Sequence, residues 1–273
     1  MFNELKAAMS NSGIDPANAP MIADGKLRRF HLSSDRRESR NGYLTIHDNG
    51  DGTYGACFGS WKHGIKETWF SGKPQRERTT AERREYAKKM EERRHQQAEE
   101  QRQRHAAAAQ KARQLWQRAK QAVADHPYLA KKQVKPHGLR QLDNTLVVPV
   151  YNVNAEMTGL QFIQPDGSKR FLSGTEVAGC YHAIGPAPGD VLLFAEGWAT
   201  AATLYEATGH PVAVGFSAGN LKPVALVLRQ KYPTITMVVC ADADDAGRSA
   251  AQSAAAAING TWIEPDFSEK ETP

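Results

Sequence analysis

From residue 190 onward the apolar residues gather in short runs, at 191–195, 211–215, 236–240 and 261–264. Segments of helical period separate them, at 198–208, 221–231 and 246–258. Continuous rather than alternating apolar strands are buried on both faces, so this order predicts a parallel sheet covered by helices. Upstream, residues 146–151, 156–164 and 169–172 read as strands joined by turns at 152–155 and at Asp166-Gly167, which predicts a small antiparallel unit. Near the N-terminus, strand-like runs at 43–47 and 53–58 flank Asp48-Asn49-Gly50-Asp51-Gly52, whose Asn and Gly residues tolerate positive φ, so a β-hairpin is expected there.

Between these regions the pattern breaks. Residues 76–120 contain no Gly or Pro, have fourteen Lys and Arg against seven Glu, and open with Thr79-x-x-Glu82, the spacing of a capping box. One long helix over 80–123 is predicted. Its large apolar residues (Tyr86, Met90, Leu115, Trp116, Val123) are too sparse for a coiled-coil seam. Most of it should face water, with the Leu115/Trp116 end packing on a domain. It reads either as a charged spacer or as a surface that tracks phosphates. The resulting organisation is an N-terminal α+β domain (1–74), a basic helical linker (75–124), a basic antiparallel subdomain (125–189), an α/β domain (190–265) and a polar tail (266–273).

At 273 residues and 40% apolar content, the chain can build a sizeable core without staples. Its net charge of +5 is compatible with nucleic acid but too mild to identify it. Three scattered cysteines (Cys57, Cys180, Cys240) fit neither a disulfide framework nor a zinc ribbon, so a reduced cytoplasmic protein with no zinc is expected. No signal peptide or long apolar window is present, so no membrane partner is expected. In the N-terminal domain Arg28, Arg29, Trp61 and Lys62, with His31, His63, Lys66 and Trp69 nearby, mix cations with aromatics. That mixture suits single-stranded nucleic acid, although an ordinary core explains the Trp residues equally well.

The acids after the predicted parallel strands decide the chemistry, because ligands of such sheets sit at the strands' carboxyl ends. The run 191–195 leads into Glu196-Gly197, and 236–240 into Ala241-Asp242-Ala243-Asp244-Asp245-Ala246-Gly247. Carboxylates brought together there repel unless a hard cation neutralises them, which suits Mg²⁺ or Mn²⁺. Gly197 and Gly247 allow tight turns and close phosphate approach. A lone acid after a strand is often only a helix cap, so the pairing of two such segments is what points to a metal site. P-loop, dinucleotide-binding and HExxH motifs are all absent.

Phe194-Ala195-Glu196-Gly197, Val214-Gly215-Phe216-Ser217-Ala218-Gly219-Asn220 and Asp242-Ala243-Asp244-Asp245-Ala246-Gly247-Arg248 together resemble a Toprim domain, the fold shared by topoisomerases, bacterial-type primases and some nucleases. The resemblance implies divalent-metal phosphoryl transfer on nucleic acid. Glu196, Asp242 and Asp244 would take the catalytic and metal roles, with Asp245 contributing to the metal, and Gly197, Ser217, Asn220 and Arg248 would bind nucleotide or template. Upstream, Lys169-Arg170-Phe171-Leu172-Ser173-Gly174 and Tyr181-His182-Ala183-Ile184-Gly185 are similar to the basic subdomain of primases, in which such cations face template and triphosphate. His126-Pro127-Tyr128-Leu129 with Lys131 and Lys132, and Phe58-Gly59-Ser60-Trp61-Lys62-His63-Gly64, look like primases of phages and conjugative plasmids.

What the resemblance implies is a DNA-dependent RNA primase using two metal ions, a single-stranded DNA template, NTPs and a replicative helicase as partner. A Toprim-type nuclease and a non-catalytic accessory that binds single strands and recruits a helicase are the alternatives. The missing zinc ribbon means that template choice is zinc-free or supplied by a partner. The sequence stops soon after the last Toprim-like strand, as expected of a piece of a longer protein or a stand-alone primase.

Overall fold

The structure is a computed structural model, and it describes residues 2–36, 39–50, 52–71 and 79–265. The chain divides into two units, residues 1–92 and 93–273. The polar tail and the side chain of Glu82, hence the second half of the expected capping box, lie outside the described residues.

The first unit packs helix α1 (Asn3–Asn11) on a sheet of order β1-β2-β3-β4, formed by Arg28–Phe30, Gly42–Asp48, Tyr54–Ser60 and Ile65–Phe70. β2 and β3 form the expected antiparallel hairpin, and Gly50 and Gly52 in its turn have φ of 73° and 80°. Leu5, Met9 and Ile14 close over Phe30, Leu44, Ile46 and Phe58 to make the core. A Cβ on Gly59 would stand 1.9 Å from the Ile65 carbonyl oxygen, so only glycine lets β4 approach there.

Helix α2 covers Thr80–Arg118, five residues short of the expected end, because Lys120–Gln121 instead form strand β5. In the second unit its C-terminal half lies on the antiparallel sheet β5-β6-β7-β8-β9, whose later strands are Arg140–Leu142, Thr145–Tyr151, Met157–Ile163 and Lys169–Phe171. Leu115 and Trp116 do pack there. The helix residues buried deepest are the small Ala108 and Ala112, and Ala112, with Ala119 just past the helix end, packs against Val147, Leu160 and Leu172. A large-residue periodicity search passes over such an alanine stripe.

The other face of β7 turns Leu146 and Val148 toward the second sheet, of order β10-β12-β11-β13-β14. Its strands are His182–Ile184, Val212–Val214, Val191–Ala195, Thr236–Cys240 and Thr261–Ile263 in that order. The last four are mutually parallel, as expected. The edge strand β10 joins antiparallel, so the segment around His182 belongs to this sheet rather than to the basic subdomain. Helix α4 (Trp198–Thr208) covers one face, while α5 (Ala218–Lys231) and α6 (Asp245–Ala257) cover the other. Alternation decides which side chains go where: Leu193 and Ala195 face α4, and Leu192 and Phe194 face α5 and α6. The short helix α3 (Pro127–Lys132) packs Tyr128 and Leu129 into the α4-side core, and its N-cap His126 accepts from the Tyr128 N–H at 3.2 Å.

Candidate active site

β11 and β13 are neighbours with Ala195 opposite Cys240, so the residues that follow them emerge side by side at the carboxyl end of the sheet. From β11 the chain turns to β12 on one side, and from β12 it crosses to β13 on the other. The crevice between β11 and β13 is therefore where the winding reverses. Glu196 and Asp242 stand there, and both line a cleft of about 440 Å³. Tyr128, Lys131, Lys132, Lys169, Gly197 and Phe216 also line it. It is thus formed by the β11–α4, β12–α5 and β13–α6 turns together with α3 and β9.

The cleft couples its charges. Burial pushes the Glu196 carboxyl above its usual range, and the charge of Asp242 and, more weakly, of Asp244 acts in the same direction. The Ala218 backbone N–H at the start of α5 donates to Glu196 and, with Lys169, pulls the other way. Loss of water lowers the Lys169 ammonium, Lys132 lowers it further, and Asp242 and Glu196 oppose both. A half-buried carboxyl raised by a neighbouring carboxylate is short of positive charge, and a hard divalent cation supplies it. The oxygen donors of Glu196 and Asp242 fit such an ion with water completing its shell.

The remaining expected acids do other work. Asp244 is the N-cap of α6, its Oδ1 accepting the Gly247 N–H at 2.6 Å. Asp245 is fully exposed and pairs with Arg248 at 2.7 Å, and Arg248 also reaches Glu264 at 3.3 Å. Among the described residues no three His, Cys, Asp or Glu side chains are grouped to hold a metal; of the acids expected at one point, Glu196 and Asp242 line the cleft. Gly247 is needed for close approach to protein, since a Cβ there would meet the Asp242 carbonyl oxygen at 2.7 Å and Asp244 Oδ1 at 3.1 Å. A Cβ on Gly197 would make only ordinary contacts, at 3.7 Å from Lys169 Nζ.

Lys169 and Arg170 separate as strand neighbours must. Lys169 lines the cleft, whereas Arg170 lies over the Phe162 ring at 5.8 Å. Ser217 is exposed at the N-cap of α5 with no side-chain cap bond. Asn220 is buried, and its amide is spent on backbone: Nδ2 donates to the Cys180 and Gly215 carbonyls at 3.0 and 2.9 Å, and Oδ1 accepts from the Gly179 N–H at 2.8 Å. Phe216 and Tyr128, which the sequence offered only as members of longer motifs with no role of their own, line the cleft, as do Ala199 and Thr200. The signal for Phe216 was its place just beyond an apolar strand, in the same kind of turn as Glu196.

In the first unit, Arg28 is tied to Asp24 at 2.6 Å and Lys62 to the buried carboxylate of Asp35 at 2.8 Å. Trp61 remains 49% exposed; its ring lies 4.4 Å from that of Tyr43, with Arg29 stacked over it at 4.8 Å. Of the four residues expected to meet nucleic acid in this unit, Trp61 and Arg29 form one aromatic-cationic surface.

A parallel sheet with an acid after its central strand and Asp-x-Asp after the next is the Toprim arrangement, and residues 191–268 match the Toprim domain family. Beyond that segment the chain is similar to a protein of Escherichia coli, DNA primase TraC, at 29% identity over 98% of this chain and 27% of that protein. A second Escherichia coli protein of the same name is 32% identical over 53% of this chain and 11% of its own length. The chain thus spans about a quarter or less of the length of these relatives. Among solved structures, the primase fragment of the bacteriophage T7 primase-helicase aligns with a TM-score of 0.42 and 16% identity, over 51% of this chain and 64% of that one. No helix among the described residues is long and apolar enough to cross a membrane.

Proposed function

We propose that this chain is the catalytic part of a DNA-dependent RNA primase that joins NTPs on a single-stranded DNA template in the cytoplasm, in partnership with a replicative helicase. The observation that supports this most is the shared cleft of Glu196, Asp242 and Lys169, formed where the parallel sheet reverses its winding. The similarity of nearly the whole chain to one protein named DNA primase TraC supports it independently.

Glu196 and Asp242 would hold Mg²⁺ or Mn²⁺, with Asp244 adding negative charge from behind its cap; the ion supplies charge neutralisation for the transferring phosphoryl group. Lys131, Lys132 and Lys169 bring ammonium groups to the same cleft and bind the triphosphate, neutralising charge that would otherwise repel the acids. The Ala218 N–H fixes the orientation of the Glu196 carboxylate before substrate arrives. Arg29 and Trp61 of the first unit hold unpaired template, Trp61 by base stacking and Arg29 by phosphate contact.

Primer synthesis on single-stranded DNA with NTPs and Mg²⁺ tests the proposal. Template-dependent oligoribonucleotides are expected from the unaltered chain and none from Glu196→Gln or Asp242→Asn. Cleavage of DNA without NTPs would favour a nuclease. Salt-dependent DNA binding that persists in both variants, with no turnover in any, would leave only a binding accessory.

A further inference from the structure

We infer that Phe216 is the stacking wall for the base of the nucleotide in the Glu196–Asp242 cleft, and that buried Asn220 is the positioning residue that holds it there. The inference rests on the nucleotide reading of the cleft and assigns its base-binding part.

Phe216 has φ of +68°, a conformation that costs a bulky residue energy and persists only where the surroundings enforce it. Asn220 supplies that enforcement on both sides of the residue: its side chain binds the Gly215 carbonyl, and its backbone N–H donates to the Ser217 carbonyl at 3.0 Å. A second strap joins Gly215 to β11, the Gly215 N–H donating to the Ala195 carbonyl at 2.8 Å. The aromatic side chain so fixed is not lost in the core. It is partly buried, lines the cleft, and meets Phe171 edge-on with ring centroids 5.6 Å apart.

The cleft thus has two chemically different parts. Lys131, Lys132 and Lys169 match a polyphosphate, whereas the Phe216 ring offers a π surface to a flat heterocycle. A nucleoside triphosphate has both. Stacking on a ring reads no hydrogen-bonding edge, so all four bases are accepted, with purines favoured by their larger faces.

Calorimetric binding of ATP, CTP and inorganic tripolyphosphate to the full chain with Mg²⁺ separates the parts. Phe216→Ala is expected to weaken ATP binding roughly 5- to 150-fold, the range that loss of one base–aromatic stack covers, and CTP binding less, while tripolyphosphate affinity stays within about twofold. Phe216→Trp should restore ATP binding. Phe216→Leu, which keeps apolar bulk without the π surface, should not. Asn220→Ala should lower the ATP-to-tripolyphosphate affinity ratio with Phe216 still in place, and Asn220→Asp should lower it as well, because the oxygen that replaces Nδ2 cannot donate to the Gly215 and Cys180 carbonyls. Equal weakening of all three ligands by Phe216→Ala, or full ATP affinity in Phe216→Leu, overturns the stacking assignment while leaving the nucleotide reading intact. An unaltered chain that binds none of the three ligands removes the nucleotide reading itself.

Discussion

Acidification should loosen the joint between the two sheets of the second unit, through His182. This residue is in β10, and its Nδ1–H donates to the Pro149 carbonyl on β7 at 3.2 Å. Next to it, Tyr151 and Tyr181 exchange two backbone hydrogen bonds of 2.8 Å, so this short stretch fastens the antiparallel sheet holding Lys169 to the parallel sheet holding Glu196. The ring is buried, and its Nε2 has no hydrogen-bond partner among the described residues, leaving no acceptor for a second proton. Burial takes its pKa down from 6.5 to about 4.

Between those two values the unfolded chain binds a proton that the folded chain refuses, so stability falls as pH falls through this window and levels off below it. A shift from 6.5 to about 4 corresponds to about 3 kcal/mol. Urea unfolding of the full chain from pH 7.5 to 4, compared with His182→Gln, isolates this contribution from the carboxylates common to both proteins. Gln keeps a donor for Pro149 and does not titrate. The unaltered chain should lose about 3 kcal/mol relative to the variant across the window. Parallel stability profiles, or a His182 imidazole resonance titrating near 6.5, would refute the reasoning.

Gly247→Ala should cost about 1–3 kcal/mol by thermal unfolding, because the added methyl displaces the Asp242 carbonyl and the Asp244 cap. Lys169→Ala should weaken triphosphate binding at least about tenfold, as expected for a lost charge-assisted contact, whereas Arg170→Ala should leave it nearly unchanged; calorimetry on both distinguishes the two faces of β9. Trp61→Ala should reduce affinity for single-stranded DNA about 5- to 100-fold in a fluorescence anisotropy titration. Lys62→Ala should reduce it less, since its ammonium is already committed to Asp35.

The parallel sheet was legible because its strands are short, largely apolar runs: β11, β13 and helix α4 lie where the pattern places them, and α5 and α6 begin within three residues of it. Strand β10 was not, because three residues make no period and its pairing comes from β12, some thirty residues further on. The acids show the same limit. That Glu196 and Asp242 should meet follows from strand order and hydrophobicity alone. Whether Asp244 faces the cleft or its own helix depends on the backbone of one turn, and there the cap to Gly247 wins. Lys169 and Arg170, adjacent in sequence, had to part as soon as they lay on a strand. Phe216 gave little warning because its value lies in a left-handed backbone held by a buried amide four residues away.

Catalysis in this cleft requires Glu196 and Asp242 to act together on a divalent cation. Electron paramagnetic resonance of Mn²⁺ titrated into the full chain measures this directly. Bound Mn²⁺ is expected in the unaltered chain, with its affinity lost in Glu196→Gln and in Asp242→Asn and retained in Asp245→Asn, whose carboxylate is exposed and paired with Arg248. Equal Mn²⁺ binding by all four proteins would contradict it.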